Sequence, residues 1–381
     1  MTVQPVQSSL TPTLPGHAYT DPKTFADEAQ RIFSREWIYV ARADELTGKG
    51  RVLRRRVGTE TVILLRDRAG ALRSFLNVCR HRGAQLCLTD DAVVGNAIRC
   101  PYHAWTYAFD GRLVASPNWK SMPEVDREQS GLIPVAVVEW AGLVWVNLAE
   151  DPPPLSAQLE SQLSYRFGGQ VDRIDRWGIG ELVLGARKTY RVAANWKLIQ
   201  ENFQECYHCG TIHPELVDAI PTFAATDRLA AGYQPDGYDF AEGLDAFSIT
   251  GEARYPLLPG LRPSDERRYF GMVLRPNCFL SLLPDHVIVH RFEPVSPDTT
   301  IVECDWLFDR AVAEAPGFDP TDTVEIFHRV NKQDFAATEW CQPNMSSRAY
   351  RAGGVLVPLE TETINDNYYR WYRGAMGSLD G

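Results

Sequence analysis

The chain carries Cys79-x-His81 and then, after 18 intervening residues, Cys100-x-x-His103. No other feature restricts its possible folds so tightly. Each half offers one thiolate and one imidazole from a short loop, and the flanking runs are of β type, so two hairpin tips can face each other. Two sulfurs and two nitrogens suit either of two metals. A structural zinc takes all four tetrahedrally; a 2Fe-2S cluster takes both cysteines on one iron and both histidines on the other. Zinc fingers pair like ligands locally, whereas each loop here mixes Cys with His, and the mixing favours the cluster. Replacing two thiolates by neutral imidazoles reduces the negative charge of such a cluster and raises its potential, so it accepts electrons readily. Cys87 lies inside the same segment but outside the pattern, and is expected to pack as a small hydrophobe.

A second constellation begins at NWKLIQENFQECYHCGTIHP, Asn195 to Pro214. Asn195 reads as an N-cap, and Trp196, Ile199, Phe203 and Cys206 recur at three and four residues, predicting a helix over 196–209 that Gly210 ends. His208 then falls in its last turn. A continuous helix rotates His213 away by about 140°, but a break at Gly210 lets both imidazoles reach one point. The candidate third ligand is Asp334. Asp319 and Pro320 open a second helix over 320–342, in which Phe327, Val330, Asp334, Ala337 and Cys341 share one stripe. A carboxylate on an apolar face needs a cation, either a core arginine or a divalent metal. Two histidines and one carboxylate form the facial triad of non-haem Fe(II) sites, with positions left open for other ligands. His286 and His290 sit in a β-branched run; four residues apart on a strand they stand ~13 Å apart, too far for one ion. They are expected to be pocket or core residues. His17 and His328 have no companions.

The 381 residues include 39 Lys and Arg against 49 Asp and Glu, a net charge of −10. With no basic run longer than Arg54–Arg56, nucleic acid and anionic membrane are poor partners. No stretch approaches the ~18 to 20 apolar residues of a membrane span, and MTVQPVQSSLTPTLPG lacks a signal-peptide layout, so a cytoplasmic location is expected. The eight cysteines are expected to be thiols or metal ligands. An arm and a helix over 1–36, packing with the catalytic domain, precede an all-β domain over 37–150. In the latter, Asp110-Gly111 is a hairpin signal. Asp151-Pro-Pro-Pro154 marks a boundary, and 151–381 reads as an α+β domain with a central antiparallel sheet flanked by helices.

The elements RHRG, CPYHAWTY, NWK, ENFQE and YHCGTIHP, with the late Asp334 and Gln342, resemble the oxygenase (alpha) subunit of the Rieske non-haem iron oxygenases along nearly the whole chain. The resemblance implies a Rieske 2Fe-2S cluster at Cys79, His81, Cys100 and His103 and a mononuclear Fe(II) at His208, His213 and Asp334. Dioxygen is the implied co-substrate, and the implied assembly is a head-to-tail homotrimer. It also implies that Glu205 bridges His103 of one subunit to His208 of the next. No GxGxxG follows a strand. Electrons from NAD(P)H are therefore expected through a separate flavin/iron-sulfur reductase or ferredoxin. CPYHAW, Glu205 and GGVLVPLETETINDNYYRWYRG resemble the branch acting on glycine betaine, choline, carnitine and stachydrine, which implies N-demethylation of a quaternary ammonium substrate. Candidate aromatic walls are Phe203, Tyr207 and Phe279, with Tyr233, Tyr238, Phe240 and Phe247 in the following loop. Two alternatives stand beside this reading: hydroxylation of an aromatic ring or side chain, and a non-catalytic electron carrier or structural zinc protein.

Overall fold

Short β-type runs separated by turns dominate the first half of the chain, and they pair as three antiparallel sheets. In the computed structural model, which describes residues 10–124, 126–224 and 234–377, they form one unit, Ala29–Leu155. Strands β1 (Ile38–Arg42), β2 (Arg51–Val57), β3 (Glu60–Arg66), β4 (Leu72–Leu76), β5 (Asp91–Val93), β6 (Ile98–Arg99), β7 (Thr106–Tyr107), β8 (Leu113–Ala115), β9 (Ala136–Trp140) and β10 (Leu143–Asn147) are ordered β1-β10-β9, β4-β3-β2-β5 and β6-β7-β8. Val52, Ile63, Leu65 and Phe75 fill a core shared with Cys79, Cys87 and Cys100. Around Asp110 the turn between β7 and β8 is longer than two residues: the Ala108 N–H donates to Arg112 O, and Gly111 takes φ 89°.

The second unit comprises Met1–Glu28 with Ser156–Gly381. The division falls after Leu155 rather than before the proline run, because Trp37 Nε1 donates to Pro153 O and ties that run to the first unit. At the other end it falls inside α2 (Pro22–Arg31), which follows the four-residue α1 (His17–Thr20). The unit's frame is a six-stranded antiparallel sheet ordered β11-β16-β15-β14-β13-β12. Its strands are β11 (Val183–Val192), β12 (Tyr238–Asp239), β13 (Arg268–Leu274), β14 (Cys278–Leu282), β15 (His286–Ser296) and β16 (Thr299–Phe308). The flanking helices are α3 (Leu155–Arg166), α4 (Trp196–Gln204), α5 (Cys209–Ile212), α6 (Pro214–Ala219), α7 (Arg310–Ala313), α8 (Thr321–Cys341) and α9 (Glu360–Met376). Helix α8 lays Val324, Phe327 and Val330 on a core that includes Trp306 and Phe308 of the sheet.

Two expectations about the 196–214 segment need correcting. Helix α4 stops at Gln204, not near Gly210, which lies inside the short α5. The Glu205 carboxylate accepts from the Tyr207 N–H, a local bond that competes with continuing the helix. In addition, Cys206 and Cys209 form a disulfide, so two of the eight cysteines expected as thiols or ligands are cross-linked. Their three-residue spacing brings the sulfurs together once the chain turns after Gln204.

The inner face of α4 is held by a buried charge pair. Lys197 Nζ lies 2.5 Å from Glu28 Oε1, and Glu28 also accepts from Trp196 Nε1 and Tyr372 OH. The desolvation cost of both charges is offset by their pairing, by the further hydrogen bonds to Glu28 and by the Tyr19, Trp196 and Tyr372 rings around Lys197 Nζ. Among the described residues, no helix is long and apolar enough to cross a membrane.

Candidate metal centres

In the first unit the two Cys/His loops are near copies of one another. Each cysteine N–H donates to the carbonyl five residues on, Cys79 to Ala84 and Cys100 to Trp105. Each cysteine carbonyl accepts from the residue four on, Gly83 and Ala104. That tight closure needs left-handed backbone at the fourth position, φ 73° at Gly83 and 57° at Ala104. Both cysteines are buried, at 2% exposure. His81 is exposed and His103 half-buried, with ring centroids 4.6 Å apart. The loops thus set two sulfurs inside and two imidazoles at the surface. Burial pushes the Cys79 thiol up, and Tyr107 OH lies 3.3 Å from its sulfur. Trp105 stacks on His81, with centroids 5.0 Å apart. This donor set fits a 2Fe-2S cluster with unlike irons. Tyr107 and Trp105 were invisible as site residues in the sequence, since they read as ordinary strand aromatics.

In the second unit, His208 and His213 flank the short α5, His213 just before α6, and lie against the Asp334 side of α8. Asp334 Oδ1 lies 2.8 Å from His213 Nε2 and 3.3 Å from His208 Nε2. Asp334 is buried at 4% exposure. The other ring nitrogens are committed elsewhere. His213 Nδ1 donates to Gln333 Oε1 at 2.8 Å, and His208 Nδ1 is bonded to the Glu205 carboxylate. With both Nδ1 protons held outward, two imidazole lone pairs and one carboxylate oxygen converge on a point. Three acceptors repel unless a cation sits among them. Hydrogen bonds to Asp334 and Glu205 outweigh burial and push His208 up to about 10, and the two imidazoles hold the Asp334 carboxyl below the usual range despite its burial. A divalent metal fits the same donors. Cys209 Sγ lies 3.9 Å from His208 Nε2, but its bond to Cys206 takes it out of the donor set.

This donor set opens on a cavity of about 470 Å³ whose walls include Phe203, Phe223, Tyr238, Tyr269, Phe279 and Trp371. Phe203 and Phe279 lie 4.9 Å apart, centroid to centroid. Tyr207 needs correcting: it is 44% exposed and does not line the cavity, because α4 ends before it. Phe240 and Phe247 are buried in the core instead, and Tyr233 lies outside the described residues. His286 bonds Asp285, and His290 bonds Asn331; neither reaches the metal donors. Gln333, Asn202 and Arg275 were missed by sequence reasoning, for side chains that orient a ligand or line a wall follow no spacing rule. Asn202 Nδ2 is 3.4 Å from His208 Nε2 and its buried Oδ1 has no hydrogen-bond partner.

Comparison with known proteins matches a family model to each unit. The Rieske [2Fe-2S] domain model matches residues 36–126, and the ring hydroxylating alpha subunit (catalytic domain) model matches 179–378. The glycine betaine monooxygenase oxygenase subunit of Chromohalobacter salexigens is 30% identical over 96% of this chain and 86% of its own length. The carnitine monooxygenase oxygenase subunit of Escherichia coli is also 30% identical, over 91% and 87%. The crystal structure of the quaternary ammonium Rieske monooxygenase CntA with L-carnitine superposes with TM-score 0.71 at 28% identity, covering 93% of this chain and 91% of that one. A naphthalene 1,2-dioxygenase from Rhodococcus shares the fold, with TM-score 0.74 at 21% identity over 97% and 95%. The Rieske domain implies a 2Fe-2S cluster and the catalytic domain a mononuclear iron, which the two donor sets fit. The chain therefore belongs to the Rieske non-haem iron oxygenases, as an alpha subunit, and is an oxidoreductase of that family.

Proposed function

We propose that this subunit removes an N-methyl group from a betaine-like quaternary ammonium compound, using dioxygen and electrons that a separate flavin/iron-sulfur reductase or ferredoxin draws from NAD(P)H. The observation that carries the reading is the convergence of His208, His213 and Asp334 beside a cavity walled by Phe203, Phe279 and Tyr269. The substrates named in the similar proteins, glycine betaine and carnitine, share a trimethylammonium head.

Cys79, His81, Cys100 and His103 would hold the cluster, and His208, His213 and Asp334 the mononuclear iron. When bound, these groups supply single-electron relay and dioxygen activation. The chain's own residues do the rest. Gln333 and Glu205 fix the imidazoles with Nε2 inward, so the donor geometry exists before anything binds. The aromatic walls exclude water and attract a cationic head by cation–π contacts, worth roughly 0.5 to 2 kcal/mol each. Hydroxylation of an N-methyl carbon then yields a carbinolamine that splits into formaldehyde and the smaller amine.

Glu205 is assigned as the bridge by which the cluster of one subunit reaches His208 of the next in a head-to-tail homotrimer. Its bond to His208 supplies one half of that link. A similar structure described for inter-subunit electron transfer covers 95% of this chain with TM-score 0.73. The test pairs metal analysis with turnover. Asp334→Asn is expected to keep the cluster's visible spectrum, to lose the mononuclear iron and to release no formaldehyde from glycine betaine, choline or carnitine with a surrogate reductase. A wild-type protein that consumes none of these but hydroxylates aromatic acids overturns the substrate reading.

A further inference from the structure

We propose that Arg275 selects, among quaternary ammonium compounds, those that carry a carboxylate, and orients them with the cationic head toward the metal donors. The inference rests on the reading above for the cationic end of the substrate and adds a second anchor at the anionic end.

Charge is distributed unevenly around the cavity. Its acidic groups, Glu205 and Asp334, lie with the two metal-site histidines. Among the described residues lining it, Arg275 is the only lysine or arginine. It occupies the turn between β13 and β14, and its backbone is fixed from α3: the Arg275 N–H donates to Gln162 Oε1 at 2.6 Å, and Gln158 Nε2 donates to Arg275 O at 2.9 Å. The side chain is steered too. Its guanidinium carbon lies 5.3 Å from the Trp371 ring centroid, and Nη1 is 3.4 Å from Asn367 O. Helix α9 therefore steers the guanidinium through Trp371 and Asn367, both of which also line the cavity.

That placement decides orientation by charge. A guanidinium binds a carboxylate by charge-assisted hydrogen bonds, and an anionic end held at Arg275 leaves the cationic head to the aromatic walls beside the donors. A zwitterion thus gains at both ends in that orientation, through the aromatic walls at one end and Arg275 at the other. An alcohol such as choline gains only at the cationic end, so Arg275 contributes to discrimination rather than to head binding.

The test is equilibrium binding by calorimetry to the iron-loaded full chain. Four probes are used: glycine betaine, carnitine, choline and 3,3-dimethylbutyrate, the uncharged-head isostere of glycine betaine. Arg275→Gln is expected to weaken glycine betaine and carnitine on the order of 10- to 100-fold while choline moves by less than about threefold. Arg275→Lys, which keeps the charge and loses the fork, is expected to fall between. Equal weakening of carboxylates and choline in both variants, or of neither, overturns the proposal. If Arg275→Gln loses every probe, Arg275→Lys decides: loss of carboxylates alone supports the assignment, and wild-type affinity for both classes overturns it. The two readings fail separately. A wild type that binds choline but no carboxylate sinks Arg275 and leaves the cationic site standing. One that binds 3,3-dimethylbutyrate through Arg275 but no quaternary compound sinks the cationic reading alone, and binding of none sinks both.

Discussion

Ala104 sits at φ 57° in a loop whose sister position is Gly83. A Cβ in left-handed backbone crowds the following carbonyl, and glycine avoids that cost. Ala104→Gly should therefore stabilise the Cys/His loop by up to about 1 kcal/mol, read as a later thermal bleaching of the cluster's visible absorption; unchanged or earlier bleaching counts against it. His290 makes a different residue-scale prediction. Burial drives it down to about 4, outweighing its bond to Asn331 and the nearby Asp334 charge. The folded chain then holds it neutral while the unfolded chain takes up a proton near 6.5. Between those values the unfolded state binds more protons, so stability rises with pH. The contribution is complete above ~6.5 and fades as pH falls toward 4, amounting to about 2 kcal/mol lost by pH 5. Denaturation midpoints at pH 7 and pH 5 should lie closer together in His290→Gln than in the wild type, and parallel shifts would contradict the assignment.

Asn195 does the most at the element scale. Its Oδ1 caps α4 through the Lys197 N–H, and its Nδ2 donates to Tyr19 O at 3.0 Å and Pro297 O at 2.7 Å. Its own N–H is taken by Gln342 Oε1. Asn195→Ala removes the cap and leaves two carbonyls unpaired, an expected loss of about 2 to 3 kcal/mol in thermal or chemical unfolding. Asn195→Asp keeps the cap and should recover part of it. This cap was legible in the sequence, as was the Phe327–Val330–Asp334 stripe of α8, because both follow fixed helical spacing. The end of α4 was not, since it depends on a carboxylate folding back on its own backbone and on a disulfide. Strand β11 was missed for another reason. It is an edge strand paired only with β16 and carries Arg187, Lys188 and Arg191, so it shows no apolar alternation. Beside Phe203 and Phe223, the cavity walls come from β13, β14 and α9, remote in sequence from the histidines, and only the folded chain brings them together.

At the scale of the whole molecule, the two donor sets belong to different units and share no residue: Cys79, His81, Cys100 and His103 lie in Ala29–Leu155, and His208, His213 and Asp334 in the other. Losses at one should not propagate to the other. The proposed ligands imply about three irons per chain, two in the cluster and one mononuclear. Cys100→Ser should then leave about one iron, and Asp334→Asn about two. Glu205 touches a donor without being one, as its carboxylate bonds to His208 Nδ1 while Nε2 faces Asp334. Glu205→Gln keeps a hydrogen-bonding group of the same size and removes the charge. It is expected to retain all three irons and a cluster that dithionite reduces normally. Reoxidation of that reduced cluster by dioxygen with substrate present should slow by at least about tenfold, a barrier higher by about 1.4 kcal/mol. Stopped-flow absorbance in a single turnover separates the possibilities. Slow reoxidation with full iron supports the bridge, loss of the mononuclear iron makes Glu205 an orienter of His208 only, and wild-type kinetics with full iron removes it from the electron path.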